Sequence, residues 1–141
     1  MYKTVLVPID LGQIEQGNLL VKTAMKLVEP IGGNLILLNV LPDIPRYVTA
    51  QMPEHFLNDA KDDAFKELEE VARKSGAGDQ TNLIVQQGSI HYEILSVADD
   101  LKADLIVMAS HQPEFSDYLL GTTAARVVRH AKCSVLISRN L

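Results

Sequence analysis

Residues 104–139 read DLIVMASHQPEFSDYLLGTTAARVVRHAKCSVLISR, and the order of patterns in this stretch decides the fold. Leu105, Ile106, Val107 and Met108 form a continuous apolar run of the kind found in strands buried on both faces. The run breaks at Ser110-His111, crosses a polar loop, reaches Gly121-Thr122-Thr123 and enters a helical pattern that ends near Lys132. Cys133 to Ser138, with Val135, Leu136 and Ile137, then reads as a second strand. A strand, a loop, a helix and another strand make a β-α-β unit. Its loop leaves the carboxyl end of the strand, and Gly-Thr-Thr opens the helix. Unpaired N–H groups and the positive end of the helix dipole gather there, which suits a phosphate.

Working outward, the same unit recurs along the chain. Lys3 to Asp10 opens with Val5, Leu6 and Val7 and is closed by Pro8, which cannot extend a central ladder. A helix follows over Ile14 to Ile31, with Leu19, Leu20, Thr23, Ala24, Leu27 and Val28 on its sheet-facing side, stopped by Pro30 and Gly32-Gly33. Asn34 to Val40 is a second buried strand, followed by a Pro-rich loop over Leu41 to Pro53 that reads as a crossover cover or a lid. A helix from Glu54 to Lys74 places Phe56, Ala60, Ala64, Leu68, Val71 and Ala72 inward and leaves Glu67, Glu69 and Glu70 solvated. Thr81 to Gln87 is a third strand. Ser89 is positioned to cap the helix Ile90 to Leu101, where His91 reads as a surface residue.

Five strands alternating with helical crossovers imply a doubly wound α/β fold: one five-stranded parallel sheet, order 3-2-1-4-5, with helices on both faces. The whole chain, 1–141, is expected to form one domain. In that order the topological switch lies between the first and fourth strands. The loops after Pro8 and after Met108 then form opposite walls of one crevice, with Asn39 and Val40 beside Ile9 and Asp10 if the first two strands are adjacent. Asp10 reads equally as a turn or helix-capping residue and as a ligand contact. Gly121 and Thr122 likewise read either as phosphate donors or as a plain turn and cap.

The chain resembles the universal stress protein family, whose ATP-binding members carry Gly-x2-Gly-x9-Gly-[Ser/Thr] between the fourth strand and the last helix. Here the corresponding residues are Ala109-x2-Gln112-x8-Gly121-Thr122, so two glycines are replaced and the final Gly-Thr is kept. The opening YKTVLVPID and the run ASHQPEFSDYLLGTTAARVVRHAKCSVL are most similar to the UspF-like branch. The resemblance covers essentially the whole chain and implies a Rossmann-like nucleotide-binding protein of the stress response. It implies ATP contacts at Pro8, Ile9, Asp10, Val40, Met108, Ala109, Ser110, His111, Gln112, Gly121, Thr122 and Thr123, with Asp10 near the ribose or a phosphate-bound magnesium. It also implies a homodimer, or a higher oligomer, through the last strand: Ser134, Val135, Leu136, Ile137 and Ser138. Ala109, Gln112 and Pro113 restrict the backbone and remove a donor. ATP then follows a different phosphate path, or the pocket is closed and the chain acts as a non-nucleotide dimeric scaffold.

Composition narrows the classes. Apolar residues make up 47% and charged residues 22% of the 141, an ordinary globular balance, and the net charge of −5 argues against nucleic acid or an anionic membrane as partner. The single cysteine, Cys133, cannot pair within the chain and reads as a small buried filler. With no signal-like or membrane-spanning run, the cytoplasm is the expected location. No Walker-type Gly-x4-Gly-Lys-[Ser/Thr], dinucleotide fingerprint or convincing Ser-His-Asp set is present. The reading is a binding protein, with at most slow ATP hydrolysis.

Overall fold

The computed structural model describes residues 2–78, 81–110 and 121–139. Five parallel strands, β1 (Thr4–Pro8), β2 (Asn34–Leu41), β3 (Asn82–Gln87), β4 (Leu105–Ala109) and β5 (Ser134–Ser138), form one sheet in the order β3-β2-β1-β4-β5. This is the expected order. The register sets Leu6 between Ile36 and Ile106, so the three central strands share one apolar layer. Helices α1 (Ile14–Val28), α3 (Phe56–Ser75), α4 (Ile90–Asp100) and α5 (Thr122–His130) make the crossovers, and a short helix α2 (Arg46–Thr49) interrupts the Pro-rich loop.

Strand alternation divides the interior in two. Val5, Val7, Leu35, Leu37, Leu105 and Val107 point to α1 and α3, whereas Leu6, Ile36, Leu38, Ile106 and Met108 point to α4 and α5. Both faces of the central strands are therefore covered, which is why their sequences run apolar without alternation. Burying each of these large side chains contributes about 1.5–3 kcal/mol before the entropy of ordering is set against it. The edge strands β3 and β5 are only half-buried. Among the described residues, no helix is long and apolar enough to cross a membrane.

Three helix details differ from the expected pattern. Leu19 is 45% exposed, while Gly17, Leu20, Val21, Ala24 and Val28 form the buried stripe of α1. At about 100° per residue Leu19 lies roughly opposite that stripe, and Gly17 was the missing anchor. Phe56 is 38% exposed because α3 buries its side chains only from Ala64 onward. Ser89 occupies the N-cap position of α4, but its hydroxyl does not cap the helix and instead meets His91 Nδ1 at 3.3 Å. Cys133 is half-buried against the α4–α5 core, and burial pushes its thiol above the ordinary range, consistent with an inert filler.

Candidate functional site

Where the strand order reverses, the tips of β1 and β4 part and leave a cavity of about 410 Å³. Its floor is made by Pro8, Ile9 and Asp10 after β1, by Leu38, Asn39 and Val40 of β2 with Pro42, and by Met108 and Ala109 of β4. Gln13, Gln16, Gly17 and Leu20 of the α1 segment close one side. Ile90 and Ile94 of α4 and Gly121 to Ala124 at the start of α5 close the other. The volume falls within the range of about 300–1,000 Å³ typical of small-molecule sites.

The sequence-predicted residues Pro8, Ile9, Asp10, Val40, Met108, Ala109, Gly121, Thr122 and Thr123 all line this cavity. Ser110 does not; its N–H donates to the Ser138 carbonyl at 3.0 Å, extending the β4–β5 ladder. His111, Gln112 and Pro113 lie outside the described residues. Sequence reasoning missed the α1 and α4 contributions. The Gly17 stripe was the available signal: a Cβ added at Gly17 would stand 3.2 Å from Ile9 Cγ2, so glycine lets α1 approach the β1 tip closely.

The β1 tip is tightly held. Ile9 N–H donates to the Leu38 carbonyl at 2.7 Å, and Asn39 Nδ2 donates to the Ile9 carbonyl at 2.9 Å. Asn39 is 6% exposed, and its Oδ1 is buried without a partner among the described residues. Such an orphan acceptor is uncommon and costs roughly 1–3 kcal/mol. Asp10 is exposed, and its Oδ1 accepts the Gly12 N–H at 2.8 Å, so the turn reading of this residue is realised. A second depression, between this turn and α3, includes Asp63 and Glu67 beside Asp10. Among the described residues, no group of three His, Cys, Asp or Glu is arranged to hold a metal.

Three long helices begin at the cavity, and their amino ends differ in charge. The first turn of α1 carries Glu15 and that of α4 carries Glu93, whereas that of α5 carries no acid. The N-cap of α5 is Gly121, extended at φ −60° and ψ 155°, with no side-chain cap. Thr122, expected as a possible cap, is instead the first helical residue and is exposed. Among the described residues, α5 is thus the one of the three with no acid in its first turn to offset its positive end.

The strand order and the crevice at its switch point define a doubly wound α/β protein, a class in which ligands bind at that point of the sheet. Residues 1–139 match the universal stress protein family, and the chain belongs to that family. Universal stress protein G of Escherichia coli O157:H7 is 30% identical over 99% of this chain and 100% of its own length. Among solved structures, a hypothetical protein whose biochemical function was assigned from its structure superposes with a TM-score of 0.79 at 25% identity, covering 100% of this chain and 98% of that one. A universal stress protein in complex with cAMP gives a TM-score of 0.67 at 25% identity, covering 99% of this chain and 98% of that one.

Proposed function

We propose that this chain is a nucleotide-binding universal stress protein that takes ATP at the carboxyl ends of β1 and β4 and acts in the stress response through nucleotide-dependent partner interactions. The observation that carries the reading is the uncapped, acid-free start of α5 facing the Asp10 turn across one cavity. In this reading Pro8, Ile9 and Val40 bound the base, Asp10 lies near the ribose, and Gly121, Thr122 and Thr123 receive phosphate oxygens. Met108, Ala109, Ser110, His111 and Gln112 complete the proposed set. The relative solved with cAMP supports an adenine nucleotide as the ligand class.

A phosphate-bound magnesium would take most of its ligands from phosphate and water, as this ion commonly does, with Asp10 as the proposed protein ligand. The protein works in the cytoplasm as a homodimer through β5, whose Val135, Leu136 and Ile137 are half-exposed on an edge strand that, among the described residues, pairs with β4 alone. That edge also underlies the second reading, a dimeric scaffold without nucleotide. Hydrolysis is at most slow.

Mass spectrometry of ligand released from purified, denatured protein separates the two readings. Adenine nucleotide at near-stoichiometric yield is the expected result. Its absence, with no thermal shift on adding ATP and magnesium, overturns the nucleotide reading and leaves the scaffold.

A further inference from the structure

We infer that Arg126, steadied by His91, is the residue that selects a polyphosphate over a monophosphate in this crevice, an inference that rests on the nucleotide reading above. Arg126 lies one helical turn beyond Thr122 on α5, and both are exposed. Long helical side chains lean back over the turn that precedes them, so the guanidinium reaches toward the helix start rather than away from it. A contact fixes that direction: Arg126 Nη1 stands 3.4 Å from His91 Nδ1. His91 adjoins Ile90, which lines the cavity, as do Thr122 and Thr123. Neither Arg126 nor His91 lines the cavity itself, but their contact holds the guanidinium beside its rim, between the starts of α4 and α5, which do line it.

A first phosphate held on the amides of Gly121 to Thr123 would leave any following phosphate pointing out of the crevice along this rim. There a planar guanidinium offers paired donors and a fixed positive charge. His91 Nδ1 also meets the Ser89 hydroxyl at 3.3 Å, so the ring is held from its own helix as well. Glu93, in the first turn of α4, has its carboxylate folded against Gly88: a Cβ there would meet Oε1 at 2.8 Å. In a chain of net charge −5, a single well-placed arginine decides how much negative charge this rim accepts.

The test is calorimetric titration of ATP, ADP and AMP, each with magnesium, into wild type, Arg126→Gln and Arg126→Lys, with Arg129→Gln as a control on the last turn of the same helix. Arg126→Gln is expected to bind ATP about tenfold more weakly while AMP changes less than about twofold, since one charge-assisted contact is lost. Arg126→Lys should recover part of the difference, and Arg129→Gln should match wild type. Equal losses for all three nucleotides, or an unchanged ATP affinity, overturn the role of Arg126 and leave the crevice reading standing. A wild-type protein that binds none of the three overturns both.

Discussion

The β1–α1 wall and the β4–α5 wall of the crevice are the same construction, a buried strand running into a helix, yet they are chemically opposite. On the first, Asp10 spends one carboxylate oxygen on the Gly12 N–H, Glu15 offsets the helix dipole, and Gly17 draws α1 onto Ile9. On the second, α5 starts from Gly121 with no acid in its first turn, and its cations are Arg126 at mid-helix and Arg129 and His130 in its last turn; neither helix start has a side-chain cap among the described residues. One wall carries its own acids and shapes the slot. The other has a positive end with no acid in its first turn. Helix starts at a switch point are therefore not equivalent, and the charge of the first turn tells which one is free to hold an anion.

The contrast can be broken most severely from the closed wall. Gly17→Leu puts a large side chain where a Cβ alone would stand 3.2 Å from Ile9 Cγ2. Pushing α1 off β1 should lower stability by about 1–3 kcal/mol in urea unfolding and abolish detectable ATP binding. A fully binding Gly17→Leu would mean that the ligand does not use this side of the cavity. Next in size, Thr122→Asp places an acid in the first turn of α5. Stability should hold or rise by about 0.3–1 kcal/mol, while ATP affinity falls on the order of a hundredfold. Those opposite signs separate a binding effect from a folding effect, and unchanged affinity would remove phosphate from α5.

The fold was legible because buried parallel strands announce themselves: Val5-Leu6-Val7 and Leu105-Ile106-Val107 run apolar on both faces. The strand order then brought Asp10 and Gly121 into one cavity by topology. What escaped the sequence were features that depend on close approach. Gly17 carries no hydrophobic signal, so a search for apolar periodicity placed Leu19 inside and passed over the residue that sets the α1–β1 spacing. The contacts of Ile90 and Ile94 with the cavity depend on how α4 is tilted against the sheet, which periodicity does not encode. Asn39 was expected beside Ile9 at the top edge of the sheet but with no role assigned, whereas its amide ties the tips of β1 and β2 together.

Asn39 gives a smaller and more discriminating perturbation. Asn39→Leu removes the hydrogen bond to the Ile9 carbonyl but also removes the orphan Oδ1, so the two effects oppose each other. The net change in stability should stay within about 1.5 kcal/mol of wild type, because one bond of about 1 kcal/mol is lost while an unpaired buried acceptor disappears. A loss well beyond that would show that Oδ1 is satisfied in solution, by ordered water for instance.

The smallest effect is the mirror image of the Thr122→Asp change. Glu15→Gln takes the acid out of the first turn of α1, so that neither α1 nor α5 has one there, while Asp10 stays in the preceding turn. Stability should drop by only about 0.3–1 kcal/mol at low ionic strength, and the drop should shrink as salt is added. If charge in the first turn alone decides where an anion sits, Glu15→Gln should create a second, weaker phosphate position, seen as a rise in inorganic phosphate binding by calorimetry. If the tight Asp10 turn also matters, phosphate binding will stay as in wild type, because the Gly12 and Gln13 N–H groups are already engaged within that turn. The outcome distinguishes electrostatics from hydrogen-bond supply as the origin of the difference between the two walls.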